Sequence, residues 1–294
     1  MTTRARAEPD AAGSVEDGAA GADVGSTLAK LALPGPGGEP LTETHPADDL
    51  QSLAARLQQG GATRVGLTGA GAARLAEVLA LPHRHFDESL AWAAGARPLA
   101  DTEASDDAFL LVSMGTGTSV MRVEPEAVTR VGGTALGGGT LLGLGYLLAG
   151  AESFEELAQL AVRGDRSRVD LTIGDVYAGG PAPLPAQATA AAFGKLAHAG
   201  SEARPEDLAA AVVGLVGENA GLLCMALAQG HGARCIVFGG SALHGNPALE
   251  GLLGLVCLAF GATPRFPEAG PYLGALGARA LVRAETDLEA GPTR

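Results

Sequence analysis

Residues 111–143 read LVSMGTGTSVMRVEPEAVTRVGGTALGGGTLLG, and this stretch decides the fold. The apolar run Leu110–Val112 halts at Gly115-Thr116-Gly117-Thr118-Ser119, and a second extended run, Val120–Val123, follows at once. That order spells a strand, a glycine turn and a returning strand. Glycines let backbone amides approach a ligand closely, and the interleaved Thr and Ser hydroxyls add donors without bulk, so the turn suits phosphate. Beyond it stands Arg130, then Gly132-Gly133, then Gly137-Gly138-Gly139-Thr140 opening an apolar helical stretch whose N-terminus also favours anions.

Upstream, residues 21–33 repeat the pattern around Asp23-Val24-Gly25-Ser26-Thr27, this time with an acid before the turn and Lys30 after it. Between the two hairpins the spacing predicts a helix over Pro46–Gln59, a parallel strand over Thr63–Leu67 and a helix from Gly71 to about Ala80. An extended piece at Pro82–Phe86 leads to a short helix carrying Trp92, and Asp101–Asp107 reads as an acidic crossing between lobes. Downstream come a helix over 138–148 and one from Ser153 to Val162, opened by the capping box Ser153-Phe154-Glu155-Glu156. A proline-rich loop follows at 178–186, then helices at 187–199 and 205–229, the second as a lobe spine or dimer surface. A strand at Cys235–Phe238 stops at Gly239-Gly240-Ser241, and a helix at 247–260, a strand at 263–266 and a helix from 273 to about 283 end the chain. The expected organisation is a disordered tail over 1–19, an N-terminal lobe over 20–105 and a C-terminal lobe over 106–288, each lobe offering one turn to a shared cleft.

With 294 residues and 47% apolar content, the chain can bury the core that two moderate lobes need. A net charge of -13 without a basic run argues against nucleic acid. Cys224, Cys235 and Cys257 are odd in number and lack paired ligand spacing, as reduced thiols would be. The N-terminus has no apolar core of signal length, and no run reaches the roughly 20 apolar residues of a membrane span, so a cytoplasmic protein with no membrane partner is expected. His83-Arg84-His85 with Asp87 and Glu88 does not make a full metal shell, and Lys195 with His198 reads as a solvated helix face.

The turns at Asp23–Thr27, Gly115–Ser119 and Gly239–Ser241 resemble the successive nucleotide-binding elements of the actin/hexokinase/Hsp70 superfamily. The resemblance implies an α/β, two-lobed actin-like ATPase (ribonuclease H-like) kinase fold with mixed sheets flanked by helices. The run Thr129–Thr140, then Ser153–Glu156, Gly164-Asp165 and Asp175-Val176-Tyr177, is similar in order and spacing to type II (eukaryotic-like) pantothenate kinases. That similarity covers about residues 21 to 282 and implies ATP-dependent phosphorylation of pantothenate to 4′-phosphopantothenate, the first step of coenzyme A synthesis.

Carried over residue by residue, the resemblance puts Gly25, Ser26, Thr27, Leu28 and Lys30 in a first phosphate loop, although many members have Gly at the Ser26 position. It makes Asp23 the acid serving Mg²⁺ through water, a role that suits one hard carboxylate beside phosphates. Glu88 becomes the general base for the acceptor hydroxyl, with Asp87 as an adjacent competitor. Arg130 would pair with substrate oxygens or developing phosphoryl charge, and Thr116 would lie where substrate and nucleotide meet. Gly138, Gly139, Thr140, Leu141 and Leu142 align with a second nucleotide loop, Phe154 with an aromatic near adenine, and Ser241 with a late nucleotide contact. Each has a structural alternative: Asp23 capping a turn, Glu88 serving its helix dipole, Phe154 filling core. Family members are homodimers, and some are inhibited by acyl-CoA bound over the substrate site. A pantetheine-like or sugar acceptor, and a catalytically silent nucleotide- or acyl-CoA-binding regulator, are the competing readings.

Overall fold

The computed structural model describes residues 18–100, 108–178, 180–182, 184–197 and 203–290. Strands β1 (Ala19–Val24), β2 (Leu28–Leu33) and β3 (Leu41–Pro46) form an antiparallel meander. Helix α1 (Leu50–Gln59) crosses over so that β4 (Arg64–Thr68) joins parallel to β1, and after α2 (Ala72–Val78) strand β5 (His83–His85) joins parallel to β4. The first sheet thus runs β3-β2-β1-β4-β5. Helix α3 (Glu88–Ala96) leads out of it.

The same plan then recurs. Strands β6 (Phe109–Met114), β7 (Thr118–Val123) and β8 (Val128–Thr134) form the second meander. The crossover is longer here: α4 (Gly138–Leu144), α5 (Phe154–Arg163), a small excursion of β9 (Leu171–Thr172), α6 (Ile173–Tyr177) and β10 (Thr189–Ala191), and α7 (Pro205–His231). Strand β11 (Cys235–Gly239) joins parallel to β6, and beyond α8 (Pro247–Ala259) strand β12 (Thr263–Arg265) joins parallel to β11. The second sheet runs β12-β11-β6-β7-β8, the order of the first. Helix α9 (Leu273–Ala290) closes the chain.

Alternation along the strands sorts the cores. Leu110, Val112 and Met114 of β6 turn toward α5, α7 and α8, while Phe109 and Leu111 turn toward Trp92, Ala93 and Ala96 of α3. Leu31, Leu53, Leu57, Leu67 and Leu75 fill the outer face of the first sheet under α1 and α2. Its inner face takes α9, although that helix lies in the second segment of the chain. The approach is close because the contact is built from glycine: a Cβ at Gly21 or Gly66 would run into the carbonyls of Ala275 or Ala278, and one at Gly277 into that of Ala91 on α3. Helices α3 and α9 therefore pack together between the sheets and fix one lobe against the other.

Four expectations need correction. Residues 41–46 and 128–134 form strands where none was expected; each is the exposed edge of its sheet and lacks the apolar alternation that marks a buried strand. The first strand starts at Ala19, and Gly18 O already accepts from Thr63 N at 2.8 Å, so order begins inside the expected tail. Residues 187–199 do not form one α-helix: β10 pairs with β9, and a 3₁₀ turn follows at Gly194–Ala197. The Ala-rich propensity loses there to Arg166, whose Nη2 donates to Thr189 Oγ1 at 2.8 Å, and Lys195 is no free surface cation, since its Nζ lies 2.7 Å from Asp175 Oδ2. Finally, α7 does have the length and apolarity of a membrane span, contrary to expectation, yet most of it is buried over the second sheet, as a lobe spine would be. The tail over 1–17, the crossing at 101–107 and His198 lie outside the described residues.

Candidate functional site

Asp23 is the penultimate residue of β1, paired across the antiparallel register with Lys30 and across the parallel one with Thr68. It is buried, at 6% exposure, although it carries a carboxylate. Two glycines make room for it: a Cβ at Gly69 would stand 2.6 Å from Asp23 Oδ1, and one at Gly274 would overlap Oδ2. Burial pushes the Asp23 pKa up, while the charge of Lys30 and the indole of Trp92 pull against that shift. The same burial pushes Lys30 down, and the charges of Asp23 and Glu88 oppose it. A buried acid beside a half-buried amine, each held back from ionising, forms a pocket that gains stability when a further ionic partner arrives.

Glu88 opens α3 and is exposed to solvent, but crowding by neighbouring protein raises its pKa, and the negative charges of Asp23 and Asp87 raise it further. Asp87 has another task. Its Oδ1 accepts from Ser89 N at 2.9 Å and Leu90 N at 3.2 Å, so it is the N-cap of α3. The helix start is pinned from the other side by Thr68, fully buried, whose Oγ1 donates to Phe86 O at 3.1 Å. Between these two anchors the Glu88 carboxylate is the acid left facing Asp23 and Lys30. His85, at the end of β5 with its ring edge-on to His83, is the nearest other titratable side chain along this strand-to-helix turn.

The two hairpin turns meet. Ser26 Oγ lies 3.1 Å from Thr116 Oγ1, a hydrogen bond between residues 90 apart in sequence. In the first turn the Gly25 amide is spent on Leu28 O at 3.0 Å, and the Thr27 carbonyl accepts from Ala47 N at 3.0 Å, leaving Ser26 and Thr27 at an exposed tip. The second turn is gripped by its surroundings. Gly138 N donates to Gly115 O at 2.7 Å and Gly139 N to Thr116 O at 2.9 Å, so these two α4 amides hold the turn. From the other side Ala242 N donates to Met114 O at 3.0 Å, and Gly240 reaches the same strand end at φ +110°, a conformation and a spacing that exclude a side chain. Ser241 sits half-buried in that wrap.

Arg130 owes its direction to a bulge. Val120 pairs with Gly132 and Met121 with Arg130, so Val131 is an extra residue and the strand re-aims at that point. Arg130 then shares a face with Val128, which packs with Met121 on the side of the sheet that meets α3. Its Nε donates to Ser119 Oγ at 3.0 Å, and a Cβ at Gly133 would stand 2.8 Å from its Nη2, so the guanidinium runs toward the Gly115–Ser119 turn.

The remaining sequence-derived residues divide. Leu141 is fully buried in the second core, Leu142 is exposed, and Thr140 donates its hydroxyl to Ala135 O at 3.1 Å. Phe154, half-buried, packs on the same core at the first turn of α5. Leu28 pairs with Pro46 in the first meander. A cavity of about 270 Å³, lined in part by Gly240, Leu243, His244, Glu250 and Phe266, opens beside the Ser241 turn. Thr68 and Trp92 went unassigned in the sequence; a polar residue closing an apolar strand was the available signal for the first.

Comparison with known proteins bears on this cleft. The family model described as Fumble matches residues 80–280. Type II pantothenate kinases from Staphylococcus aureus (strain bovine RF122 / ET3-1) and Staphylococcus saprophyticus are each 32% identical, over 260 and 259 residues, covering 88% and 87% of this chain and 97% of each relative. Among solved structures, the activator of the 2-hydroxyisocaproyl-CoA dehydratase from Clostridium difficile with bound ADPNP has a TM-score of 0.66 at 16% identity, covering 94% of this chain and 98% of its own. A ROK family glucokinase from Streptomyces griseus, in complex with glucose and AMPPNP, has a TM-score of 0.52 at 14% identity, covering 90% and 98%. Likeness at these identities establishes the actin-like fold and leaves the chemistry to the cleft itself.

Proposed function

Because the chain belongs to the type II pantothenate kinase family, we propose a division of labour among the residues of its cleft. The reaction is ATP-dependent phosphorylation of pantothenate to 4′-phosphopantothenate, the first step of coenzyme A synthesis. Glu88 accepts the proton of the primary hydroxyl as that oxygen attacks the γ-phosphorus, and ADP leaves with the electrons of the broken P–O bond. Its raised pKa makes it a stronger acceptor for the hydroxyl proton than an ordinary carboxylate. Arg130, extended toward the Thr116 turn, neutralises charge on the transferring group or holds a pantothenate oxygen. Lys30 balances phosphate charge from the first lobe.

The turns at Ser26 and Thr116 hold the phosphates from two sides, and their hydroxyl bridge is the single observation that carries this reading. The nucleoside end lies toward Ser241, Phe154 and the adjoining cavity, with Gly138, Gly139, Thr140 and Leu142 shaping the approach. A magnesium ion fits Asp23: the carboxylate is buried, the missing Cβ atoms of Gly69 and Gly274 leave it room, and its charge lacks a full cationic partner. When bound, Mg²⁺ supplies positive charge to the phosphate oxygens. Family resemblance supports a cytoplasmic homodimer and inhibition by acyl-CoA, and exposed Leu255, Leu258 and Phe260 on and just beyond α8 support a second copy as partner.

The test is ADP production with pantothenate, pantetheine and N-acetylglucosamine, using Glu88→Ala as control. Turnover of pantothenate, lost in the variant, is the expected result. A preference for either other acceptor moves the assignment to that substrate class, and no turnover with any of them makes the protein a nucleotide-binding regulator.

A further inference from the structure

Trp92 is the only tryptophan of the chain, and it stands at 5% exposure among Ala93, Ala96, Phe109 and Leu273. A ring so placed is ordinary core filling, except for its polar atom. The indole Nε1 is buried and has no hydrogen-bond partner among the described residues, which leaves a donor out of water at a cost most proteins avoid. That atom points at Asp23: a Cβ at Gly274 would stand 2.8 Å from Trp92 Nε1 and would overlap Asp23 Oδ2. The indole lies close enough to help hold the carboxylate charge but falls short of hydrogen-bond geometry. Trp92 also lies four residues after Glu88 on α3, one turn along the same helical face.

We propose that Trp92 is a positioning residue for phosphoryl transfer: its N–H closes onto the Asp23 carboxylate when that acid takes up its magnesium–nucleotide load, tying the end of β1 to the helix that carries Glu88. The proposal rests on the role given above to Asp23. It explains why α3 bears a large aromatic at a point where its neighbours are Ala91, Ala93, Gly95 and Ala96. It also explains why Gly274 is bare, since any side chain there would part the two groups.

Trp92→Phe keeps an aromatic ring in the core, removes the donor and leaves a small void where the larger indole stood. The expected result is a rise of about tenfold in the Mg²⁺ concentration for half-maximal velocity, or an equal fall in kcat, the worth of one charge-assisted hydrogen bond. KM for pantothenate stays as in the parent, while the melting temperature falls modestly from the void alone, so the Mg²⁺ dependence and not the melting point reads the contact. The second measurement needs no turnover: emission of the lone tryptophan is recorded for the parent and for Asp23→Asn, each with and without Mg²⁺ and AMPPNP. Emission that shifts on nucleotide addition in the parent and no longer does so in Asp23→Asn supports the contact. Parental Mg²⁺ dependence and kcat in a folded Trp92→Phe, or emission indifferent to both Asp23→Asn and nucleotide, overturns it. If Trp92→Phe does not fold, the emission comparison decides alone. Should the parent turn over no acceptor while its emission still follows Asp23, the kinase reading falls and the contact stands; parental turnover undisturbed by Trp92→Phe sinks only the contact.

Discussion

The two hairpins, β1–β2 and β6–β7, share strand order and a Gly/Ser/Thr turn, yet they have been put to different use. The first carries charge inside: Asp23 buried on one strand, Lys30 opposite it, and Glu88 within their electrostatic reach. Its turn is lightly held, with an exposed tip. The second turn carries no ionisable group and is clamped from two directions, by the α4 amides and by the Gly240–Ala242 wrap. One hairpin holds buried charge, and the other presents an uncharged, clamped turn beside it. A repeated fold therefore does not imply repeated function, because burial of charge is costly and need be maintained in only one copy.

The comparison breaks most sharply at Glu88. Glu88→Gln is expected to lower kcat by about 10²–10⁴ without moving the melting temperature, as loss of a general base does. If His85→Asn shows that loss and Glu88→Gln does not, the base stands at the end of β5. Next comes one substitution, Gly→Ala, made in the first turn and at the α4 N-cap packed on the second. A Cβ at Gly137 would stand 2.6 Å from backbone atoms of Gly117, and backbone cannot swing aside. Gly137→Ala should cost about 1–3 kcal/mol, read as a melting temperature lowered by roughly 2–4 °C per kcal/mol. Gly25→Ala meets only Leu28 O, at 3.0 Å, and should melt close to the parent. Equal losses at the two turns would erase the distinction drawn here.

Smaller effects sharpen it. Ser26→Ala removes an exposed bridge to Thr116 worth no more than about 1 kcal/mol, so KM for ATP should rise by less than about fivefold with melting unchanged. The smallest concerns Asp87. Burial and the charges of Asp23 and Asp87 raise the Glu88 pKa, so the basic form is present above that raised value and activity falls as pH drops through it. Asp87→Asn still caps α3 but removes one negative charge, and the acidic limb of kcat/KM should therefore move to lower pH. A limb that moves upward or stays in place would mean that another group titrates.

Much of this was readable from residue order alone. Glycine turns after apolar runs, the Ser153 N-cap and the Thr129–Thr140 block are local signals, each complete within a dozen residues, and they are enough to place both hairpins, most helices and the family, although Glu156 turns back to Glu152 N and not to Ser153 N as a full capping box would. Edge strands β3 and β8 escaped because half their side chains face water and the remaining pattern is thin. The 187–199 segment misled because intrinsic helix propensity is weak beside one buried guanidinium network, Arg166 with Asp170, Glu218 and Thr189. What tertiary structure alone decided is which glycines are bare because another backbone passes within contact, that the turns at Ser26 and Thr116 meet, and that a lone indole faces Asp23 from 69 positions away. Those facts depend on atoms brought together across the chain, and no window along the sequence contains both members of the pair.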